Sequence, residues 1–345
     1  MPEQVIGFAV SGMKYYENDF YKNSPSSFMA FSVTGTKCEC RCAHCDAGLL
    51  RSMTDVSTIE KFTAAVDAAA SDGCTGILVS GGSDAKGSVP LLPFISSMSY
   101  AKVKGLKVLV HTGLLDEDTA YALKSANVDQ VLLDVIGSEK TIRSVYGINK
   151  KPEDYFNSML YCKNVGLKIA PHLVIGLDFG MIDGEYNAID LISRAEAENA
   201  VFVVLTPKRH TRMENAPPPR FEDVLDVFAY ASGKLKRGRT PDSHAPDSRA
   251  PKSTVRDDGR VPAGWPLNVA PPHDKRPKTR ISLGCARPHV YSVELEKAAV
   301  DLGFSSIAYP HEETIRYTQK LGIKTVFYEE CCSLHGVNGG IPVPH

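Results

Sequence analysis

Short apolar, β-branched runs separated by longer amphipathic stretches constrain this chain more than any other feature. The runs read FMAFSVT (28–34), GILVSGG (76–82), LKVLVHTG (106–113), DQVLLDVIG (129–137), LKIAPHLVIG (167–176) and AVFVVLTP (200–207). After a break come ISLGC (281–285), SSIAYP (305–310) and KTVFYEE (324–330). Segments of helical periodicity lie between them, such as STIEKFTAAVDAAASDG and DEDTAYALKSA. Strands alternating with helices at this spacing predict βαβ units and a parallel sheet. About eight such units predict an α/β fold of TIM type, a (β/α) barrel that is closed or nearly closed. Periodicity does not show closure, so an open doubly wound sheet is the alternative.

Four segments follow from this pattern: an N-terminal extension over 1–27, six βα units over 28–232, an insertion over 233–280, and barrel completion over 281–345. The insertion is rich in Pro, Arg, Lys, Ser and Asp and has almost no apolar periodicity. Such a composition cannot offset the entropy of ordering, so disorder is expected there, with the sole Trp, Trp265, outside the core. Net charge is −1, which gives the chain as a whole no electrostatic case for nucleic acid or membrane. No apolar run reaches the roughly 20 residues a bilayer span requires. The opening MPEQVIGFAVSGMKYY has neither a basic n-region nor a cleavable apolar stretch, and a cytoplasmic location is the expectation.

Function in a parallel βα barrel gathers in the loops after the C-terminal ends of the strands. The loop after the first run is TKCECRCAHCDAG, with Cys38, Cys40, Cys42 and Cys45 inside eight positions. In a reducing compartment such a group reads as metal or redox chemistry. Zinc sites usually draw on two separated cysteine pairs, and no second C-x-x-C exists here. Disulfides within so short a segment would be strained and would staple almost nothing. Three thiolates on one loop can instead hold three irons of a 4Fe–4S cluster and leave the fourth iron to a non-protein ligand. Cys74 and Cys162 stand alone in apolar or helical context and are expected in the core.

CECRCAHC after a first strand resembles the C-x3-C-x2-C signature of the radical S-adenosylmethionine (SAM) superfamily, with SGG after the second strand adding to the likeness. The resemblance covers nearly the whole chain apart from the insertion. It implies that Cys38, Cys42 and Cys45 ligate the cluster and that SAM chelates the open iron. One electron then cleaves SAM to methionine and a 5′-deoxyadenosyl radical, which takes hydrogen from an unactivated carbon. Cys40 is extra, and His44 stands where the family usually has an aromatic residue. Gly81, Gly82 and Ser83 are implied at the methionine end of SAM; Asp84 follows where the family's motif ends in an acid. Asp134 is implied at the ribose hydroxyls and Gly176 beside the adenine. For Asp134 and Asp178 an ordinary loop or capping carboxylate is the competing reading.

The C-terminal cysteines extend the likeness. GCARP supplies Cys285 and Arg287, and YEECCSL supplies Cys331 and Cys332. Sulfur-inserting members of the superfamily, of the biotin and lipoyl synthase type, carry an auxiliary cluster as sulfur donor. Cys285, Cys331 and Cys332 are the candidates for its ligands, and buried free thiols are the alternative. With TPKRHTRMENAPPP and YPHEETIRY, the combination is most similar to a subunit of the two-protein lipoyl synthase. That implies a homologous radical SAM subunit, an octanoylated carrier protein and an electron donor as partners. The rivals are radical C–H or carbon-skeleton chemistry without sulfur, and a non-catalytic iron–sulfur carrier.

Overall fold

The computed structural model describes residues 5–236, 279–334 and 341–342. Its strands are β1 (Val5–Ala9), β2 (Phe28–Ser32), β3 (Thr54–Asp55), β4 (Gly76–Ser80), β5 (Lys107–His111), β6 (Gln130–Asp134), β7 (Ile169–Ile175), β8 (Asn199–Val204), β9 (Arg280–Leu283), β10 (Ser306–Ala308), β11 (Lys324–Tyr328) and β12 (Ile341–Pro342). They form one sheet in the order β12-β11-β1-β10-β9-β8-β7-β6-β5-β4-β2-β3. All neighbours run parallel except β11 and β12.

Side chains alternate across the sheet, and both faces are buried, as a parallel sheet requires. On the outer face Ile6, Phe8, Val79, Val108, Val110, Val131 and Ile169 join the helices in the main core. On the inner face Leu109, Leu132, Ala170, Val201, Ala308 and Tyr328 form a second, smaller cluster. The helices begin where the sequence supplies caps. Thr58 accepts from the Lys61 N–H at the start of Ile59–Ser71, and Asp116 accepts from Thr119 at the start of Glu117–Ser125. Cys74 and Cys162 lie in the main core.

Three expectations need correction. The barrel is partial: among the described residues β3 and β12 are free edges, and no backbone ladder joins them. Side-chain bonds cross the hollow instead. Glu330, just past β11, pairs with Lys107 of β5. The Ser333 carbonyl accepts from Gln130 (3.3 Å) and Asn199 (2.7 Å), and Ser282 donates to the Cys332 carbonyl (2.9 Å). Residues 330–333 thus cross the hollow as a plug, tying β11 to β5, β6, β8 and β9. Second, residues 1–27 are no mere extension, because β1 sits inside the sheet between β10 and β11. Third, the helix Phe221–Lys236 and strand β9 from Arg280 take up the ends of the segment expected as an insertion over 233–280. The rest of that segment, with Trp265, lies outside the described residues.

The last βα units are fastened by one buried carboxylate. Glu296, fully buried, pairs with Arg287 at 2.5 Å and with His311 Nδ1 at 2.7 Å. It also accepts from the Thr314 hydroxyl at 2.6 Å. Burial favours the neutral acid, but the bonds from His311 and Thr314 and the Arg287 charge hold its pKa below the usual range. Removing one partner of a buried pair leaves the other charge uncompensated. Glu296→Ala is therefore expected to cost about 3–5 kcal/mol, read as a fall in the denaturant midpoint at unchanged m-value.

Candidate active site

The cysteine loop leaves β2 and folds back onto the segment that leaves β4. Gly82 is where they meet. A Cβ there would lie 1.9 Å from the Lys37 carbonyl oxygen and 2.6 Å from the Cys38 Cα, so only glycine fits. The Gly82 N–H donates to the Thr34 hydroxyl at 2.7 Å, and the Ser83 carbonyl accepts from the Glu39 N–H at 2.8 Å. Gly81 packs more loosely, against Val33 and Thr34. Gly81, Gly82 and Ser83 thus cradle the cysteine loop itself. Asp84 accepts from the Lys86 and Ser88 N–H groups and closes its own turn. Gly82→Ala is expected to displace residues 37–38 and sharply reduce iron loading while far-UV circular dichroism stays native. Normal loading in that variant would show that the loop tolerates displacement.

Within the loop the neighbouring Cys40 and Cys45 thiols, together with burial, push the Cys42 thiol up. The bond from Cys42, helped by His44 and opposed by burial, draws Cys45 toward the thiolate, the form that binds metal. Cys38 turns instead toward the Ser83 carbonyl, 3.8 Å away, while Cys40 lies 2.9 Å from the Asp84 carbonyl. The structure therefore brings Cys40, Cys42 and Cys45 together and leaves Cys38 beside Gly82. Among the described residues no three or more His, Cys, Asp or Glu are arranged to hold a single metal ion. A cluster is a different demand, since its thiolates bind separate irons and need not converge on one point. An all-sulfur donor set on one loop, with Cys45 primed for deprotonation, fits a cluster.

The inner face of three adjacent strands carries polar groups. His111 ends β5, Asp134 ends β6 and His172 stands on β7, paired in register with Asp134. His111 Nε2 lies 3.6 Å from Asp134 Oδ1, and the Tyr146 hydroxyl donates to Asp134 Oδ2 at 3.2 Å. Burial would raise the Asp134 pKa, but the His111 hydrogen bond and the nearby histidines hold it well below the carboxylate range. Burial likewise works against a charged His111, and Asp134 prevails, raising its pKa. His111 and Asp134 keep 26% and 29% side-chain exposure although they sit on the inner face of the sheet, so they line an open hollow. Tyr146 in turn packs on His44, with ring centroids 5.5 Å apart.

Two further expected positions have structural work. Gly176 has φ +77°, packs against Pro219 and donates its N–H to Glu185 at 2.8 Å. Burial raises the Glu185 carboxyl to about 7. Asp178 is buried and paired with Lys140 at 2.6 Å, so for Asp178 the reading as an ordinary loop carboxylate is the better one.

The C-terminal cysteines divide. Cys285 is exposed, on a cavity of about 460 Å³ lined also by Lys14, Tyr309 and His311. Cys331 and Cys332 are buried in the inner cluster, on the plug. All three are within electrostatic reach of Tyr309, and Cys331 of His111. The Cys331 thiol takes bonds from Cys332 and Ser333, which outweigh burial and bring it to about 7. Arg287 is committed elsewhere, to Glu296, Ser292 and the carbonyls of Gly284 and Tyr309. His111, His172 and Tyr146 went unmarked in the sequence. The signal for the histidines was their in-phase place on the inner face of neighbouring strands.

Comparison with known proteins accords with this layout. Residues 32–192 match the Radical SAM superfamily. A search of curated protein sequences finds no match. Among solved structures, methylornithine synthase (PylB) is 12% identical with a TM-score of 0.50, covering 82% of this chain and 71% of that one. HydG, a maturase of the FeFe-hydrogenase, is 13% identical with a TM-score of 0.53, covering 81% and 56%. HydG from Carboxydothermus hydrogenoformans is 13% identical with a TM-score of 0.52, covering 97% and 70%. The chain thus spans little more than half of the first HydG structure, and at these identities the likeness is one of fold. Among the described residues no helix is long and apolar enough to cross a membrane. The segment that matches holds the cysteine loop, the Gly81–Gly82 cradle and the His111–Asp134–His172 face, and residues 32–192 form a domain of the radical S-adenosylmethionine superfamily.

Proposed function

We propose that the chain is a radical SAM enzyme that inserts sulfur at an unactivated C–H bond, in lipoyl assembly on an octanoylated carrier domain. The observation that carries this reading is the presence of two cysteine groups, Cys38, Cys42 and Cys45 after β2 and Cys285, Cys331 and Cys332 beside β9 and β11, with Tyr146 in electrostatic reach of Cys42 and Cys45 and His111 in reach of Cys331. A cluster on Cys38, Cys42 and Cys45 would supply the electron that cleaves SAM. The chain's own part is to bind, orient and exclude water. Gly82 lets the cysteine loop lie flat on the end of β4. Asp134, kept ionised, accepts hydrogen bonds from hydroxyls at the top of the hollow. The plug at 330–333 closes the hollow from the other side. Cys285, Cys331 and Cys332 would hold the auxiliary cluster, and a second homologous subunit and an acyl-bearing carrier would complete the system.

A second reading is favoured by a specific observation. Cys331 and Cys332 are buried among apolar side chains, and Cys331 accepts a hydrogen bond from the Ser333 hydroxyl, as befits core thiols. On that reading the chemistry is radical C–H functionalisation without sulfur. Iron counting on anaerobically purified protein separates the two, about eight irons per chain against about four. Incubation with SAM, reductant and an octanoylated lipoyl-domain peptide, followed by mass analysis, tests the reaction directly. A thiolated peptide supports the first reading, and 5′-deoxyadenosine without any added sulfur sinks it.

A further inference from the structure

His172 lies at the centre of the sheet, on β7 between β6 and β8, where its side chain can meet only the hollow. Its neighbour on that face, Ala170, belongs to the inner cluster. Its Nδ1 lies 3.0 Å from the Ala170 carbonyl oxygen. A carbonyl can only accept, so Nδ1 carries the proton and the lone pair is left on Nε2. Among the described residues no group bonds Nε2, and it is not among the buried polar atoms without a partner, so it opens onto the hollow. Burial and the neighbouring His111 push this ring down to about 4, which keeps it neutral. His111 differs: its Nε2 is committed to Asp134, and its ring stands edge-on to His172 with centroids 5.6 Å apart.

These groups lie between the two cysteine sets. Tyr146 joins Asp134 to His44, next to Cys45, and Cys331 stands in reach of His111. Around them the inner face is Leu109, Leu132, Ala170 and Val201. An apolar lining beside the Nε2 acceptor suits a mostly apolar molecule with a single polar link.

We propose that His172 is a substrate-positioning residue whose Nε2 accepts a hydrogen bond from an N–H or O–H of the substrate, set beside an apolar chain. This rests on the reading that the hollow is the site of a radical SAM reaction. In the lipoyl reading the donor is the amide N–H that joins the acyl chain to its lysine. Nε2 does no chemistry on the reacting carbon; it fixes where along the chain the radical strikes.

The test uses the reconstituted holoenzyme and three measurements. Diethyl pyrocarbonate, mapped by mass spectrometry, should modify His172 in the wild type and spare His111. A His172 that is unreactive overturns the proposal whatever the substrate is. SAM affinity and slow 5′-deoxyadenosine release without substrate should be unchanged in His172→Phe. Weakened SAM binding would make the SAM ribose the partner of Nε2 and overturn the substrate assignment. With the octanoylated lipoyl-domain peptide, His172→Phe should raise KM about tenfold, the worth of one hydrogen bond, and scatter the site of attack. His172→Gln, whose amide oxygen can replace the Nε2 lone pair, should restore most of both. Equal defects in Gln and Phe variants would reduce His172 to a packing role. If wild-type enzyme leaves the peptide untouched, the lipoyl reading falls, and the modification and SAM measurements still decide for or against an open acceptor at His172.

Discussion

Cys42→Ala and Cys45→Ala are each expected to abolish the visible absorbance of the cluster and all reductive cleavage of SAM. Both thiols sit at the centre of the loop, and Cys45 is already biased toward the thiolate by Cys42 and His44. Each iron lost from its thiolate leaves the cluster with too few anchors to persist. The third ligand is where sequence spacing and geometry disagree. The C-x3-C-x2-C register names Cys38, whereas Cys40 is the thiol whose electrostatics are tied to Cys42. We favour Cys38. Its backbone is held by the close approach to Gly82, and contact between thiols is not what a cluster needs, because its ligands stand on separate irons. Cys38→Ala should therefore lose the cluster and Cys40→Ala should keep it, as read by iron content and absorbance. The reverse result would move the site to Cys40, Cys42 and Cys45.

Cys285→Ala should separate the two halves of the proposed reaction. Cys285 is exposed and lines a cavity, so its loss opens no hole in the core, unlike loss of buried Cys331 or Cys332. SAM cleavage should continue near the wild-type rate, because the first cysteine loop is untouched. Sulfur insertion into the octanoylated peptide should vanish, and iron content should fall by about half. A donor across the hollow is needed because a carbon radical reacts with what is held within reach. A variant that still delivers sulfur would remove Cys285 from the donor and favour chemistry without sulfur.

Much of the layout was legible in the chain. The runs at 28–34, 76–82, 106–113, 129–137, 167–176 and 200–207 each contain a strand of the sheet, because β-branched runs buried on both faces carry their own signature. β1 was harder to see. VIGFA is short, follows few residues and has no helix-length segment before it, yet it completes the sheet by pairing with two strands from the far end of the chain. Pairing of that kind is decided by distant partners. Closure was equally hidden, since it depends on which edges find each other.

The cysteine loop and the glycine pair were determined by the sequence alone, because a metal site on one short loop needs only local spacing and a glycine only local room. His111, Asp134 and His172 were not. They lie far apart in the chain, and only the parallel register of β5, β6 and β7 sets them on one face. Arg287 reads from sequence as a neighbour of Cys285, but folding commits it to Glu296, since a buried guanidinium must find a carboxylate. The same reason applies to Cys331 and Cys332. Two adjacent thiols at a strand end read as a rim site, and the plug carries them into the apolar interior of the hollow. Local chemistry can be read along the chain, whereas what a side chain faces is decided by which other segments pack against it.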